Sequence, residues 1–450
     1  MLAVFGVFLF LLVLFVTGAK DPKWNAIALG GLMIYLWIFE VVSIYVTALL
    51  PLILAVPLKL LVPADLAGAY GNNNVYLFFG GFVMALALEK WHVHEQIARR
   101  IIGFVGNSKP QILLGFLLST GILSMWISNT ATALMMLPMA VAIIEAMPSS
   151  ERNSKFSVLL LLSIAYAASI GGMGTLVGSP PNTQMAGLLE ANYQIKVGFF
   201  DWMKIGMPLS IALMLATFLF FYFSLGKERF EKYDYKFETK PWTNEQKRAM
   251  AVFGVVIFLW SFRDWIEIWT GWSYKDESAS VLGAILMFII PGKSENKPLL
   301  EWKDTEKLPW GILLLFGGGM ALAMILEKNG VIAEITTVLN AYKGVPISLI
   351  LLVVVIIGIF ATEIMSNLAL VTIFTPVVAA FALESQIPVL QLCLPLALAS
   401  SCAFMLPVGT PPNAIIFSSG HLKIHQMAKV GFVVNVIGVL LIWGFSVVFL

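Results

Sequence analysis

The chain has 450 residues, 59% of them hydrophobic and only 12% charged, with a net charge of +2. Soluble domains carry about a quarter charged residues, and a soluble fold could not cover this much apolar surface. The composition selects a membrane protein, and the absence of a basic patch argues against a nucleic-acid partner. Runs of about 20 apolar residues recur from end to end, the length of a helix that crosses hydrocarbon. The alternation of a transmembrane barrel is absent. Residues 1–19 have no basic start and no clear cleavage site, so they read as a first span rather than a signal peptide. Further spans are expected near 25–39, 41–60 and 73–91. A basic amphipathic stretch at 94–105, with Arg99 and Arg100 on its polar side, is expected to lie in the interface. Residues 111–146 are apolar but broken at Trp126-Ile127-Ser128-Asn129-Thr130. The unbroken parts are short for two full spans and suit a re-entrant helical hairpin with a polar tip. Residues 155–189 are interrupted at Gly178-Ser179-Pro180-Pro181-Asn182, where two prolines remove two backbone donors. A span at 205–225 and a polar linker at 226–248 close the first half.

The second half repeats the order. Spans are expected near 249–269, 279–292 and 308–327. A broken pair at 347–383 has Ser366-Asn367 at its middle. An interrupted segment at 388–418 breaks at Gly409-Thr410-Pro411-Pro412-Asn413, and a last span covers 428–449. The stretch from Leu77-Phe78-Phe79-Gly80-Gly81 to Glu89-Lys90 is echoed from Leu314-Leu315-Phe316-Gly317-Gly318 to Glu327-Lys328. Glu89 and Glu327 lie 238 residues apart, as do Ser128 and Ser366, and both Pro-Pro-Asn breaks follow in order. Such self-similarity indicates duplication. The domain reading is a first span at 1–23, one repeat at 24–225, a cytoplasmic linker at 226–248 and a second repeat at 249–450.

Each repeat has five crossings plus a hairpin, an odd number of crossings, so the halves are expected to insert in opposite senses. The fold class is therefore an all-α polytopic membrane protein of two inverted-topology repeats, with about eleven transmembrane helices and two re-entrant hairpins. With the N-terminus cytoplasmic and the C-terminus external, about 19 of the 28 Lys and Arg fall inside, as the positive-inside rule requires. Lys20 and Lys23 run against it.

Hairpin tips and helix breaks leave backbone N–H and C=O groups unpaired, at several kcal/mol each in hydrocarbon. A ligand, ion or cavity water must pair with them. Carbonyls and hydroxyls suit a hard cation such as Na⁺, and N–H groups at helix N-termini suit an anion. Ser124, Ser128, Asn129, Thr130, Gly178 and Ser179 supply such groups in the first half. Thr362, Ser366, Asn367, Gly409 and Thr410 supply them in the second. No Lys or Arg occurs at either tip or break.

These tips and breaks resemble the divalent anion–sodium symporters, which include bacterial INDY-type dicarboxylate transporters. The resemblance covers nearly the whole chain and implies a homodimer in the cell inner membrane, with eleven spans and two hairpins per protomer and an elevator-like transport motion. It implies one Na⁺ near Ser124, Ser128, Asn129 and Gly178, and a second near Thr362, Met365, Asn367 and Gly409. It implies substrate contacts from Ser128, Asn129, Thr130, Ser179, Ser366, Asn367 and the backbone near Thr410 and Pro411. The family motif often reads Ser-Asn-Thr twice, whereas here Leu368 takes the second threonine's place. The expected function is Na⁺-coupled symport of a small divalent anion, a C4-dicarboxylate such as succinate being the leading candidate, with no organic cofactor. Another anion (sulfate, tartrate or a tricarboxylate) or proton coupling is the alternative, and a cation/proton antiporter ranks below both. No nucleophile–base pair, zinc motif or nucleotide-binding loop appears, so neither an enzyme nor an ATP-driven pump is expected.

Glu363 stands where the first half has Met125. An intramembrane acid is a candidate for proton or cation binding, but a structural contact is the favoured reading. His92 with His94, and His421 with His425, lack an evident third metal ligand.

Overall fold

Prolines and polar caps set most of the helix starts in the computed structural model, which describes residues 2–39, 41–149, 151–152, 154–230, 241–292, 297–339 and 344–449. The first half holds α1 (Leu2–Thr17), α2 (Pro22–Ile38), α3 (Ile44–Thr47), α4 (Leu50–Leu54), α5 (Pro63–Tyr70), α6 (Asn73–Lys90) and α7 (Val93–Val105). It continues with α8 (Lys109–Ser124), α9 (Asn129–Ala146), α10 (Lys155–Gly172), α11 (Pro180–Tyr193) and α12 (Phe199–Ser224). The second half holds α13 (Asn244–Ser261), α14 (Arg263–Thr270), α15 (Asp276–Ile289), α16 (Trp310–Lys328) and α17 (Val331–Leu339). It ends with α18 (Ile347–Ala361), α19 (Asn367–Glu384), α20 (Val389–Ala399), α21 (Pro411–Ser418) and α22 (Ile424–Phe449). Of the expected linker, residues 231–240 lie outside the described residues.

Asp21 and Asn72 cap α2 and α6 by accepting from Lys23 N and Asn74 N, each at 2.9 Å. Ser108 with Gln111 and Thr243 with Gln246 form capping boxes on α8 and α13. Two expected spans are interrupted. Residues 41–60 form the short helices α3 and α4 followed by turns, because Pro51 opens a new helix and Pro57 lacks the N–H to extend it. The span at 249–269 divides at Phe262 into α13 and α14, and Arg263 is drawn to Asp276 at 3.0 Å. The short helices α5 and α17 were not anticipated.

Among the described residues six helices are long and apolar enough to cross a membrane: α9, α10, α12, α16, α19 and α22. Exposed Leu215, Leu219 and Phe223 on α12 and Leu349, Val353 and Ile357 on α18 present apolar faces outward, as lipid contact requires. α10 is the opposite case, buried from Phe156 to Gly172. A Cβ on its Gly171 would lie 2.2 Å from Gly121 O, so only glycine lets α8 and α10 approach this closely.

The buried core falls into two clusters. One gathers Phe116, Tyr166, Trp202, Trp260 and Phe404 around α8–α12, α20 and α22. The other gathers Leu29, Trp37, Phe78, Phe316 and Met320 around α2 and α16. Among the described residues three ion pairs cross between the halves, Lys23 with Glu334 and two that match each other. Lys90 at the end of α6 meets Asp304 at 2.6 Å, and Lys328 at the end of α16 meets Asp65 at 2.7 Å. Each lysine of the matched two reaches an aspartate ahead of the other's helix, and the Lys328 ammonium holds the Asp65 carboxyl below the usual range. The lysines that end these two echoed stretches thus bind the two halves together.

Candidate functional site: two oxygen nests at helix breaks

In the first half, α8 ends at Ser124 and α9 begins at Asn129, with the tip between them. Ser124 Oγ lies 2.6 Å from Asn129 Oδ1 and 2.7 Å from Ala168 O of α10. A hydroxyl has one proton and cannot donate to both. The same Asn129 amide atom lies 3.0 Å from Ala168 O and 3.2 Å from Gly178 O. Turning the amide would place Nδ2 there and satisfy these oxygens with hydrogen bonds. With Oδ1 inward, four oxygens converge with one proton among them, an arrangement that a cation favours. Ser124 is fully buried, so bulk water does not reach these oxygens.

The second half repeats this geometry. Thr362 Oγ1 lies 2.6 Å from Asn367 Oδ1 and 2.8 Å from Ser400 O. Beside the two nests Ser169 Oγ and Ser401 Oγ are buried without a hydrogen-bond partner, at equivalent places one residue after Ala168 and Ser400. No hydrogen bond among the described residues joins one nest to the other.

The Pro-Pro-Asn asparagines hold the breaks open. Asn182 Nδ2 donates to Gly172 O at 2.9 Å and Thr175 O at 2.8 Å, and Asn413 Nδ2 donates to Ala403 O and Leu406 O at 2.9 Å each. Each amide satisfies two carbonyls that the broken helix orphans, and each leaves a buried Oδ1 unpaired. Gly206 and Gly431 let α12 and α22 pass over these breaks: a Cβ would lie 2.5 Å from Met173 O and 2.1 Å from Phe404 O.

The polar hydroxyls divide by helix. Ser128 Oγ caps α9 by accepting from Ala131 N at 3.2 Å, and Thr410 Oγ1 caps α21 by accepting from Asn413 N at 3.4 Å. α9 and α21 pack together. Ser179 and Ser366, which precede α11 and α19, make no side-chain cap bond. α11 and α19 also pack together. Each helix that follows a break therefore lies against the other half's hairpin. Four helix N-termini start at these motifs and bring partial positive charge where no Lys or Arg stands.

Among the remaining expected residues, Thr130 is half-buried on α9 and Gly178 and Gly409 are buried in the breaks. Met365 lies at the second tip, where its N–H donates to Ala361 O at 3.2 Å. Pro411 is exposed at the start of α21. Leu368 is 7% exposed and packs in the second apolar cluster with Leu188 and Met320.

Glu363 is a structural clamp. Its Oε1 accepts from Phe404 N and Met405 N at 2.8 Å and from Asn435 Nδ2 at 2.7 Å, and its Oε2 accepts from Leu406 N at 3.0 Å. Four donors satisfy a carboxylate that is 4% exposed. In the first half Thr175 Oγ1 donates to Met125 O and accepts from Gly178 N at 3.0 Å. The sequence reading did not assign roles to Asn182, Asn413, Thr175 or Asn435. The matched Asn of the two breaks was the one visible signal. At the α6–α7 joint Glu95 joins His92 and His94, with ligand atoms within 4.8 Å of one another. His92 Nδ1 and Glu95 Oε1 meet at 3.1 Å on the exposed surface, which accounts for their proximity without an ion.

A family model described as citrate transporter matches residues 34–387. The sodium-dependent dicarboxylate transporter SdcS of Staphylococcus saprophyticus is 37% identical over 90% of this chain and 82% of its own length. The protein of the same name from Staphylococcus aureus strain USA300 is 36% identical over 98% of this chain and 89% of its own. Among solved structures, the Alcanivorax borkumensis YdaH transporter aligns with a TM-score of 0.58 at 11% identity, over 85% of each chain. Neisseria gonorrhoeae MtrF aligns with a TM-score of 0.58 at 12% identity, over 86% of this chain and 82% of its own. At such identity the likeness is one of fold alone. The matched family and relatives are transporters, the resemblance read from the tips and breaks holds, and the chain is a multi-pass membrane transporter that belongs to the citrate transporter family.

Proposed function

We propose that the protein is a secondary active symporter that carries a small divalent anion, a C4-dicarboxylate such as succinate, with Na⁺. The observation that carries this reading is the matched pair of nests, in which the Ser124 and Thr362 hydroxyls each meet a backbone carbonyl and the amide of Asn129 or Asn367 at a helix break. Ser124, Ser128, Asn129 and Gly178 would hold one Na⁺, and Thr362, Met365, Asn367 and Gly409 a second. The substrate would meet Ser128, Asn129, Thr130, Ser179, Ser366, Asn367, Thr410 and Pro411, with the uncapped Ser179 and Ser366 hydroxyls free to donate. Bound Na⁺ and four helix N-termini would supply the counter-charge to two carboxylates. The names of the relatives support both dicarboxylate and sodium.

The architecture proposed with it has eleven spans and two re-entrant hairpins, in inverted repeats at 24–225 and 249–450. The crossed Lys90–Asp304 and Lys328–Asp65 pairs support a two-fold relation of this kind. A homodimer in the cell membrane, with a cytoplasmic N-terminus and linker and an external C-terminus, completes the proposal.

Uptake of labelled succinate into proteoliposomes across a Na⁺ gradient tests the function. Accumulation that collapses when Na⁺ is equal on both sides is expected. Uptake unchanged without either a Na⁺ or a proton gradient would sink symport. Leu368 favours a second reading, a different dianion, because an apolar branch replaces one hydroxyl of the family motif. Competition by sulfate, tartrate and citrate separates the two.

A further inference from the structure

Where α12 ends and Gly226 begins the linker, helices α10, α12 and α22 leave a groove of about 490 Å³. Its wall is apolar, from Phe220 of α12 and Val430 and Val433 of α22. Its rim is basic, from Lys155 at the first position of α10 and from His425 and Lys429 one turn apart on α22. No acid lines it. The nearby carboxylates Glu151 and Glu228 pair instead with Lys109, at 3.6 and 3.7 Å. Lys155 Nζ donates to Ser224 O at 3.3 Å, and among the described residues neither it nor Lys429 meets a carboxylate. By contrast Lys204, near the opposite end of α12, is neutralised by Asp201 at 3.0 Å.

The groove continues into an apolar outer face. Phe223 of α12 is 66% exposed and Phe432 of α22 48% exposed. Both helices run 26 residues, enough to cross the hydrocarbon layer. A slot with an apolar wall, a cationic rim and an opening onto a lipid-facing surface has the chemistry of an amphiphile with an anionic head. We propose that this groove binds an anionic phospholipid. Its phosphate sits among Lys155, Lys429 and His425, and an acyl chain lies along Phe220, Val430 and Val433. The lipid would tie together three helices that frame both nests. α10 supplies the Ala168 carbonyl, and α22 supplies Asn435 to Glu363. The inference does not depend on which anion is transported.

The test compares the melting midpoint of the detergent-purified protein with phosphatidylglycerol, with phosphatidylcholine of the same chains and with inorganic phosphate. Phosphatidylglycerol is expected to raise the midpoint by roughly 3–5 °C more than phosphatidylcholine. The K155Q/K429Q double variant should lose that difference, while Lys204→Gln keeps it. Equal rises with both lipids, or a double variant that keeps the difference, would overturn the proposal. A rise with inorganic phosphate alone equal to that with the anionic lipid would also overturn it in favour of a simple anion site. Independently of any variant, a photoactivatable phosphatidylglycerol should cross-link within 154–159, 220–224 and 425–433. Labelling confined to other segments would refute the placement.

Discussion

The two helix breaks perform the same task with different chemistry. In the first, the neutral Thr175 hydroxyl relays between Met125 O and Gly178 N. In the second, the Glu363 carboxylate gathers the N–H groups of Phe404, Met405 and Leu406 together with Asn435. What is shared is the backbone: an Asn amide on two carbonyls, a glycine in the overlying helix, and a hydroxyl crowded by oxygens. The difference shows that the two halves keep the nest and vary its support. A carboxylate is tolerated at this depth because four donors replace its water.

This asymmetry makes the two breaks unequal in fragility. Glu363→Ala strands four donors, two buried and two half-buried, at roughly 1–3 kcal/mol for each buried unsatisfied group. Loss of uptake and a large fall in melting midpoint are expected. Thr175→Val removes only one neutral relay, about 1–3 kcal/mol in all, and should leave measurable transport. Equal damage from the two would break the comparison.

The shared part should behave alike. Ser124→Ala and Thr362→Ala each remove the single proton-bearing oxygen of a nest. Each should raise the Na⁺ concentration for half-maximal uptake about tenfold, equivalent to about 1.4 kcal/mol, with little change in melting midpoint. Unaltered Na⁺ dependence in both would remove the nests from ion binding. The conservative Thr362→Ser should restore the parent value.

A smaller effect is expected at the tip mismatch. Leu368→Thr introduces a hydroxyl opposite in kind to the apolar cluster around it, and the hydroxyl can turn to substrate. A change of up to about tenfold in preference among dianions, roughly 1.4 kcal/mol, is expected with Na⁺ dependence retained. The reverse outcome would place this side chain at the ion. Smallest of all, Lys90→Gln and Lys328→Gln remove partly exposed pairs worth about 0–1 kcal/mol each. They should shift the melting midpoint slightly and by similar amounts. A large shift from one alone would show that the two crossed pairs are not equivalent.

Much of the molecule was legible in the linear chain because membrane insertion is written in long apolar runs and the matched tips and breaks in repeated motifs. The tips at Ser128 and Ser366 and the breaks at Pro180-Pro181 and Pro411-Pro412 stood out, since polar and helix-breaking residues in an apolar run need a purpose. The interruption of 41–60 was harder to see, because an apolar run conceals short helices whose packing depends on partners elsewhere. Glu363 could be singled out as an anomaly, but not assigned. Its partners lie 41 to 72 residues away, and three are backbone N–H groups without a side-chain signature.

The sequence by itself determined that this is an all-helical membrane protein with two tips and two breaks in matching order, since local hydropathy and proline chemistry act within a few turns. Only the tertiary structure decided which oxygens meet. Ala168 O and Ser400 O carry no identity in their side chains, and they enter the nests because α10 and α20 pass beside the tips. Tertiary packing likewise decided that Glu363 braces a break, that Ser179 and Ser366 keep their hydroxyls uncommitted, and that Leu368 turns into the apolar cluster. Each depends on which helix lies opposite, and that is settled by packing rather than by spacing along the chain.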